Sequence, residues 1–488
     1  MVNIQLSNAA LARMSTVATL PDYDRSEITP GIVHLGIGAF HRAHQAVFVD
    51  DCLRRGEKGW GIVAASMRNS DTRDALAPQD NLYTYCERGG RTETLRVVGS
   101  IIEIVVCPED PQLLIERLCD PRVRIVTLTV TEKGYLADLS ARSLLLDHPD
   151  IMHDLANDEA PRSIHGVLLS AIKRRRAEGA VPLTLVSCDN LPSNGKVLKA
   201  LLVQFATLKD ADLVAYIADH VSCPCAMVDR IVPATTDADR TNVAARLGVA
   251  DAWPVVAEPY FRWVIEDRFP HGRPAFEVSG VEFVADVEPY EHMKLRMLNG
   301  AHTAIAAIGQ ITGLATVADV YAEPRVKRFI DRYWLEVEPT LSAGVNGGEY
   351  VSGLRERFAN PDLQHFAVQI ASDASQKVPQ RILAPLGELI ENGKEHSAVL
   401  MALALWVRSC GAKSELGEPM VIRDPAFKEG TPVDQDSLSS DEVITRFLDF
   451  TRVFGTNWRE SPKFVAALAA AYNTIRTHGA LGAIDLID

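Results

Sequence analysis

The chain has 488 residues, 47% of them apolar and 23% charged, and 50 Lys and Arg against 64 Asp and Glu give a net charge of −14. That length exceeds one ordinary core and predicts a globular protein of two or three domains. The acidic balance argues against nucleic acid and anionic membranes as partners, and no run of about 20 apolar residues is present to span a bilayer.

Up to about residue 285, short apolar, β-branched runs alternate with helical stretches, the pattern of an α/β domain with a mostly parallel sheet. Residues 32–35 and 61–65 are predicted as the first two strands, and 124–130 and 182–187 as later, deeply buried ones. Between them, residues 95–106 alternate in a way that suits an antiparallel insertion. A last strand is expected at 281–285. From Pro289 onward helical periodicity takes over: Leu298, Ala301, Ile305 and Ile308 fall on one stripe, and Val399, Leu403, Trp406 and Val407 on another. Residues 464–475 are a further predicted helix. The expected domains are therefore a nucleotide-binding α/β domain at 1–285 and a mostly α-helical domain at 286–488. Residues 1–7 lack the pattern of a secretory signal, and the cysteines sit mostly in apolar runs as small hydrophobes. A reducing, cytoplasmic setting is expected. Cys223-Pro224-Cys225 lacks the spacer and second pair of a structural zinc site, so no zinc is expected there.

The string Gly36-Ile37-Gly38-Ala39-Phe40-His41 closes the first strand and opens a helix. Its glycines let the backbone turn tightly and approach a pyrophosphate, whose charge a helix N-terminus favours. Gly36, Gly38 and Phe40 are the candidate cofactor-binding residues. His41 replaces the third glycine of the usual fingerprint, and an ordinary strand–helix turn fits the string nearly as well. The second strand ends at Ser66-Met67-Arg68-Asn69 without the expected ribose-binding acid, Asp71 being the nearest. Arg68 suits either stacking on adenine or a 2′-phosphate, so NAD is the expected cofactor with NADP left open.

Oxidising a secondary alcohol needs a base for the hydroxyl proton, donors for the developing oxyanion and a cofactor face for the hydride. The segment Lys294-Leu295-Arg296-Met297-Leu298-Asn299-Gly300-Ala301-His302 offers such groups. On a helix of 3.6 residues per turn Asn299 and His302 share a face, and Lys294 lies about 80° from His302. Lys294 suits the base if desolvation lowers its pKa. Asn190, closing Leu185-Val186-Ser187-Cys188-Asp189-Asn190, stands where a doubly wound sheet presents its ligands. A solvated helix start with a bend at Asn299-Gly300 accounts for the same residues, and the pattern alone leaves both readings open.

Four motifs occur in order along the chain. They are Gly36-x-Gly38-x-Phe40-His41-Arg42-Ala43-His44-Gln45; Ser187-Cys188-Asp189-Asn190 with Asn194-Gly195; Val228-Asp229-Arg230-Ile231-Val232-Pro233; and Lys294 with Asn299-Gly300-x-His302. Together they resemble the mannitol dehydrogenase family, the polyol-specific long-chain dehydrogenases that include fructuronate reductase. The resemblance implies a Rossmann-type N-terminal domain, a mostly helical C-terminal domain, a substrate cleft between them and no metal. It implies Lys294 as general acid/base, Asn190 and Asn299 as oxyanion donors, His302 as the residue that orients substrate, and Asp229 as a further contact. Glu132 and Glu291 fit a proton path or a structural ion pair equally well.

Within the family, Gln369-Ile370-Ala371-Ser372-Asp373-Ala374-Ser375-Gln376-Lys377-Val378-Pro379-Gln380-Arg381 resembles the fructuronate reductase branch, where mannitol dehydrogenases tend to carry arginine at the position of Gln369. A hexuronate adds a carboxylate, for which Lys377 offers a point charge and Arg381 a bidentate fork; a surface role for Arg381 stands beside this. The expected reaction is D-fructuronate + NADH giving D-mannonate + NAD. A mannitol or arabinitol dehydrogenase, and a non-catalytic nucleotide-binding sensor, are the alternatives. The expected partner is a small sugar acid or polyol, and the expected assembly a monomer or small homo-oligomer.

Overall fold

The computed structural model describes residues 4–14, 17–89, 92–139, 141–362, 365–420, 422–424, 426–427 and 435–487. They fall into two compact units, Met1–Glu288 and Pro289–Asp488.

In the first unit the strands β1 (Pro30–Leu35), β2 (Gly61–Ser66), β3 (Ile101–Val106), β4 (Ile125–Leu128) and β5 (Thr184–Ser187) form a parallel sheet in the order β5-β4-β1-β2-β3. Successive side chains on a strand face opposite ways, and they feed two different cores. Val33, Leu35, Val63, Ala65, Val126 and Leu128 share one core with residues of the helices Pro111–Cys119, Ile164–Ala177 and Asn194–Lys209. Ile32, Ile62, Ala64 and Ile125 share the other with the helix Gln45–Arg54. Burial on both faces is why these strands read as near-continuous apolar runs. The strand order reverses between β1 and β4, the position where doubly wound sheets take dinucleotides.

Only half of the expected insertion is antiparallel. Thr92–Val98 pairs antiparallel with Tyr83–Gly89 in a second sheet that also holds Ala18–Thr19 and Val255–Ala257. Residues 101–106 are β3 and pair parallel with β2. Between them the Gly99 N–H donates to Asp50 Oδ1 (2.9 Å) and Ser100 Oγ to the Ala46 carbonyl (2.7 Å), which turns the chain back into the main sheet. Alternation has the same period in both kinds of strand, so it does not report pairing direction. The strand Glu282–Val284 joins a third small sheet, parallel to Arg262–Glu266, which is antiparallel to Ala226–Asp229.

The described residues of the second unit form helices and no strand. The helix Gly300–Thr312 is buried on nearly every side, as befits a central helix. Its small residues admit close neighbours: a Cβ on Gly309 would stand 2.8 Å from Ala367 Cβ. The helices Ser397–Ser409 and Pro462–Ile484 pack against it, the latter broken at Gly479. No helix among the described residues is long and apolar enough to cross a membrane.

Candidate active site

β1 runs into Gly36, whose φ of 101° lies in the left-handed region that favours glycine. Its N–H donates to the Ala65 carbonyl (2.8 Å), and its carbonyl accepts from the Gly38 N–H (2.7 Å) and from Thr129 Oγ1 (2.8 Å). A Cβ here would stand 2.2 Å from the Thr129 carbonyl oxygen, so only glycine lets the ends of β1 and β4 approach this closely. Gly38 differs. It is exposed, caps the helix Ala39–Ala43, and a Cβ there would meet nothing nearer than Gly36 O at 3.9 Å.

His41, in place of the third glycine, lies flat on His34 with ring centroids 3.3 Å apart. Burial pushes His34 down to about 3 and His41 well below its usual value, so both rings are neutral and can stack. The helix breaks after this turn at His44 and restarts as Gln45–Arg54. Thus strand and helix pack through a ring pair where the usual fingerprint packs through glycine. Phe40 is half-buried against His44, 5.0 Å between centroids. Arg68 is exposed just past β2, where Asn69 Nδ2 donates to Asp71 Oδ2 (2.8 Å).

At the end of β5 the buried Asp189 carboxylate accepts from the Thr131 N–H (2.8 Å), the Val130 N–H (3.2 Å) and the Tyr135 hydroxyl (2.8 Å). Burial raises Asp189 to about 6 against the pull of those donors. It thereby holds Thr131, at φ 64°, and the short helix Thr131–Gly134 with the exposed Glu132. Asn190, the next residue, is exposed, and Asp229 is buried at the end of Ala226–Asp229. Asn194 joins the two segments: its Nδ2 donates to the carbonyls of Asp189 (3.1 Å) and Ala226 (2.6 Å), and its Oδ1 accepts from the Ala226 N–H (3.0 Å). Two arginines of the sequence motifs are braces. Arg42 donates to the Trp253 carbonyl (2.6 Å), and Arg230 to the carbonyls of Ala43 (2.8 Å) and Glu258 (2.9 Å). An open cavity of about 540 Å³ borders Pro182, before the start of β5 rather than its end. Two of its cations are engaged, Lys199 with the Ala218 carbonyl and Arg268 with Glu266.

In the second unit residues Lys294–Asn299 form a π-helical turn, in which the Gly300 N–H reaches back five residues to the Leu295 carbonyl. This corrects the 3.6-residue geometry expected for the segment: the wider turn brings Lys294 and Asn299 towards one face, where an α-helix would leave them about 140° apart. Lys294, Asn299 and His302 are 9%, 7% and 6% exposed. Asn299 Nδ2 and His302 Nε2 have no hydrogen-bond partner among the described residues. His302 stacks on Phe358 (4.7 Å) and meets His365 edge-on (5.1 Å). Burial, then the nearby His365, Arg357, Arg381 and Lys294, push its pKa well below the usual value.

Arg296 is structural, paired through both terminal nitrogens with Glu388 (2.7 and 2.6 Å). Arg381 is buried, not a surface residue, and its Nη1 donates to Thr303 Oγ1 (3.3 Å). It sits on a second π-turn, Pro379–Leu383. Lys377 is half-buried on Ala374–Val378 and donates to the Ser372 carbonyl; Gln369 is exposed. The left-handed residue before that helix is Asp373 (φ 55°), so Ala374 needs no glycine. Glu291 is buried in Glu288–Met293, just before the first π-turn. The structure therefore gathers Lys294, Asn299, His302 and Arg381. Arg357, Phe358 and His365, which frame His302 from 55 to 63 positions away, carried no local signal.

The chain matches two family profiles, the mannitol dehydrogenase Rossmann domain over residues 30–278 and the mannitol dehydrogenase C-terminal domain over 286–476. It is 40% identical over 481 residues to the uncharacterized oxidoreductase YeiQ of Escherichia coli K12, covering 96% of this chain and 98% of that one. It is 38% identical to D-mannonate oxidoreductase of the same organism, covering 98% and 99%. Among solved structures it is similar to the Pseudomonas fluorescens mannitol 2-dehydrogenase ternary complex with NAD and D-mannitol, with a TM-score of 0.88, 37% identity and 99% of both chains covered.

Proposed function

This chain belongs to the mannitol dehydrogenase family, and we propose that within it the protein interconverts D-fructuronate and D-mannonate with NAD(H). It is an oxidoreductase acting on secondary alcohols of polyols or sugar acids. One observation carries the catalytic reading: Asn299 Nδ2 and His302 Nε2, both buried and without a partner among the described residues, stand beside a buried lysine. Buried polar atoms are rarely left unpaired, and these two suit the oxygen of a bound sugar.

In oxidation Lys294, buried in the site, takes the hydroxyl proton as the neutral amine. Asn299 donates from Nδ2 to the oxygen as negative charge develops, and Asn190 is assigned the second donor. His302, neutral, orients the substrate through Nε2, and Asp229 is assigned a further hydroxyl. In reduction Lys294 returns the proton to the same oxygen. Gly36, Gly38, Phe40 and Arg68 are assigned to the cofactor, and the open space over Gly38 fits a pyrophosphate. NAD, when bound, supplies the hydride acceptor, as NADH does the donor. The eight free, buried cysteines suit a reducing, cytoplasmic location.

The hexuronate follows from charge. Arg381 is held beside the segment carrying His302, and Arg357 also lies within its electrostatic reach. A carboxylate is favoured there and an uncharged polyol gains nothing from it. Lys377 is assigned to the same substrate. NADH oxidation with D-fructuronate, D-tagaturonate and D-fructose side by side is the test. We expect D-fructuronate to be preferred, and Arg381→Ala to raise its KM at least tenfold while leaving any D-fructose turnover alone. Turnover of D-fructose but not of D-fructuronate would overturn the assignment in favour of a polyol dehydrogenase.

A further inference from the structure

The two π-turns of the second unit are tied to each other by one side chain. The buried Tyr333, on the helix Pro324–Val337, places its hydroxyl 3.1 Å from the Arg296 carbonyl and 3.3 Å from the Arg381 carbonyl. The first belongs to the turn Lys294–Asn299 and the second to the turn Pro379–Leu383. Next to it, Trp334 Nε1 donates to the Met297 carbonyl (2.9 Å). A π-turn disturbs the regular i→i+4 ladder, and buried carbonyls need donors from elsewhere; Tyr333 and Trp334 supply them. Gly300 completes the joint. A Cβ on it would stand 2.0 Å from the Tyr333 hydroxyl oxygen and 3.0 Å from the Arg381 carbonyl oxygen, so a larger residue would drive the turns apart.

We infer that Tyr333 is a positioning residue that locks the turn bearing Lys294 and Asn299 to the turn bearing Arg381, with Gly300 as its socket. The inference rests on the reading of Lys294, Asn299 and Arg381 given above. Tyr333 touches no reacting atom. It acts on catalysis through the first turn and on substrate affinity through the second, because its single O–H is shared between their carbonyls. A residue that served packing alone would affect melting and leave both kinetic constants in place.

The test uses Tyr333→Phe, Gly300→Ala and the double variant in the full chain, with NADH oxidation by D-fructuronate and thermal unfolding as readouts. Tyr333→Phe is expected to melt within about 4 °C of the parent, yet to show lower kcat and higher KM together, about tenfold in kcat/KM. Gly300→Ala is expected to lose about a hundredfold or more. In the double variant the nearest clash is gone, and at least tenfold of that loss returns. Should Gly300→Ala fail to fold, the same rescue is read as recovery of folded, active protein in the double variant. Parental kcat and KM in Tyr333→Phe, or no rescue in the double variant, would overturn the inference. If D-fructose is turned over in place of D-fructuronate, the substrate reading fails, and the three variants are scored on D-fructose. If Lys294→Ala keeps parental turnover, the base assignment fails while the rescue still decides the lock.

Discussion

Gly36 and Gly38 stand two residues apart in one turn, and the structure gives them different duties that a pair of alanine substitutions separates. A methyl at position 36 meets two costs. The backbone φ of 101° is unfavourable for a residue with a side chain, by about 1–3 kcal/mol. The new Cβ would also lie 2.2 Å from the Thr129 carbonyl oxygen, so the ends of β1 and β4 must part and the Gly36 carbonyl loses its bond from Thr129 Oγ1, costing about 1–2 kcal/mol more. A total of about 2–5 kcal/mol reaches the severe end for one substitution and lowers the melting temperature by about 10 °C. Gly38 is extended (φ −93°, ψ −176°), a conformation alanine adopts freely, and its Cβ would touch no protein atom within 3.9 Å. Gly38→Ala is therefore expected to melt within about 2 °C of the parent while filling the space a pyrophosphate needs, weakening NADH binding by about tenfold or more. Thermal unfolding and fluorescence titration with NADH read the two effects separately. Parental NADH affinity in Gly38→Ala would refute the placement of the cofactor, and parental melting of Gly36→Ala would refute the close approach of β1 and β4.

Lys294→Ala is expected to lower turnover by about 10²–10⁴-fold, the usual worth of a general base, with NADH affinity within about twofold of the parent; retention of most turnover would remove Lys294 from that role. Acid sensitivity follows from the buried histidines of the first unit. His34, His41 and His165 have pKa values depressed by burial, His34 to about 3 and His165 to about 4, so the unfolded chain binds more protons than the native one below its own pKa of about 6.5. Their stabilisation is fully present above pH 6.5 and is lost as pH falls towards 4 and 3, at most about 5 kcal/mol for His34. Asp189, raised to about 6, opposes this in part by taking up a proton in the native state first, one group against three. The urea midpoint should fall between pH 6.5 and 4, and less steeply in His34→Gln; equal slopes would count against the ring pair.

What could be read in the residues, and what could not, divides along the range of the interactions. β1, β2, β4 and β5 are legible because burial on both faces leaves an unbroken apolar run. The change to helices after Pro289 is legible from period alone. The π-turn at Lys294–Asn299 is not, since it alters one hydrogen-bond step without altering which residues are apolar. The side chains that bond to it, Tyr333, Trp334 and Glu388, lie 37 to 92 positions away. Arg42 and Arg230 sit inside motifs that invite a chemical reading, yet Arg42 bonds a main-chain carbonyl and Arg230 bonds main-chain carbonyls, the Tyr85 hydroxyl and Glu87. The sequence leaves Arg381 open between surface and site because no pattern in its own segment reports that Thr303 faces it.

Residue 381 meets the lysine-bearing segment in two separable ways. Its guanidinium bonds the Thr303 side chain, whereas its carbonyl oxygen receives the Tyr333 hydroxyl. Every amino acid has that carbonyl. The side chain can therefore be exchanged for another suited to a neutral or a differently charged sugar while the joint that holds the lysine-bearing turn stays in place. On the roles proposed for Arg381 and Lys294, substrate preference is free to drift at this position without the proton-transfer apparatus being rebuilt, a physical route to many specificities on one scaffold.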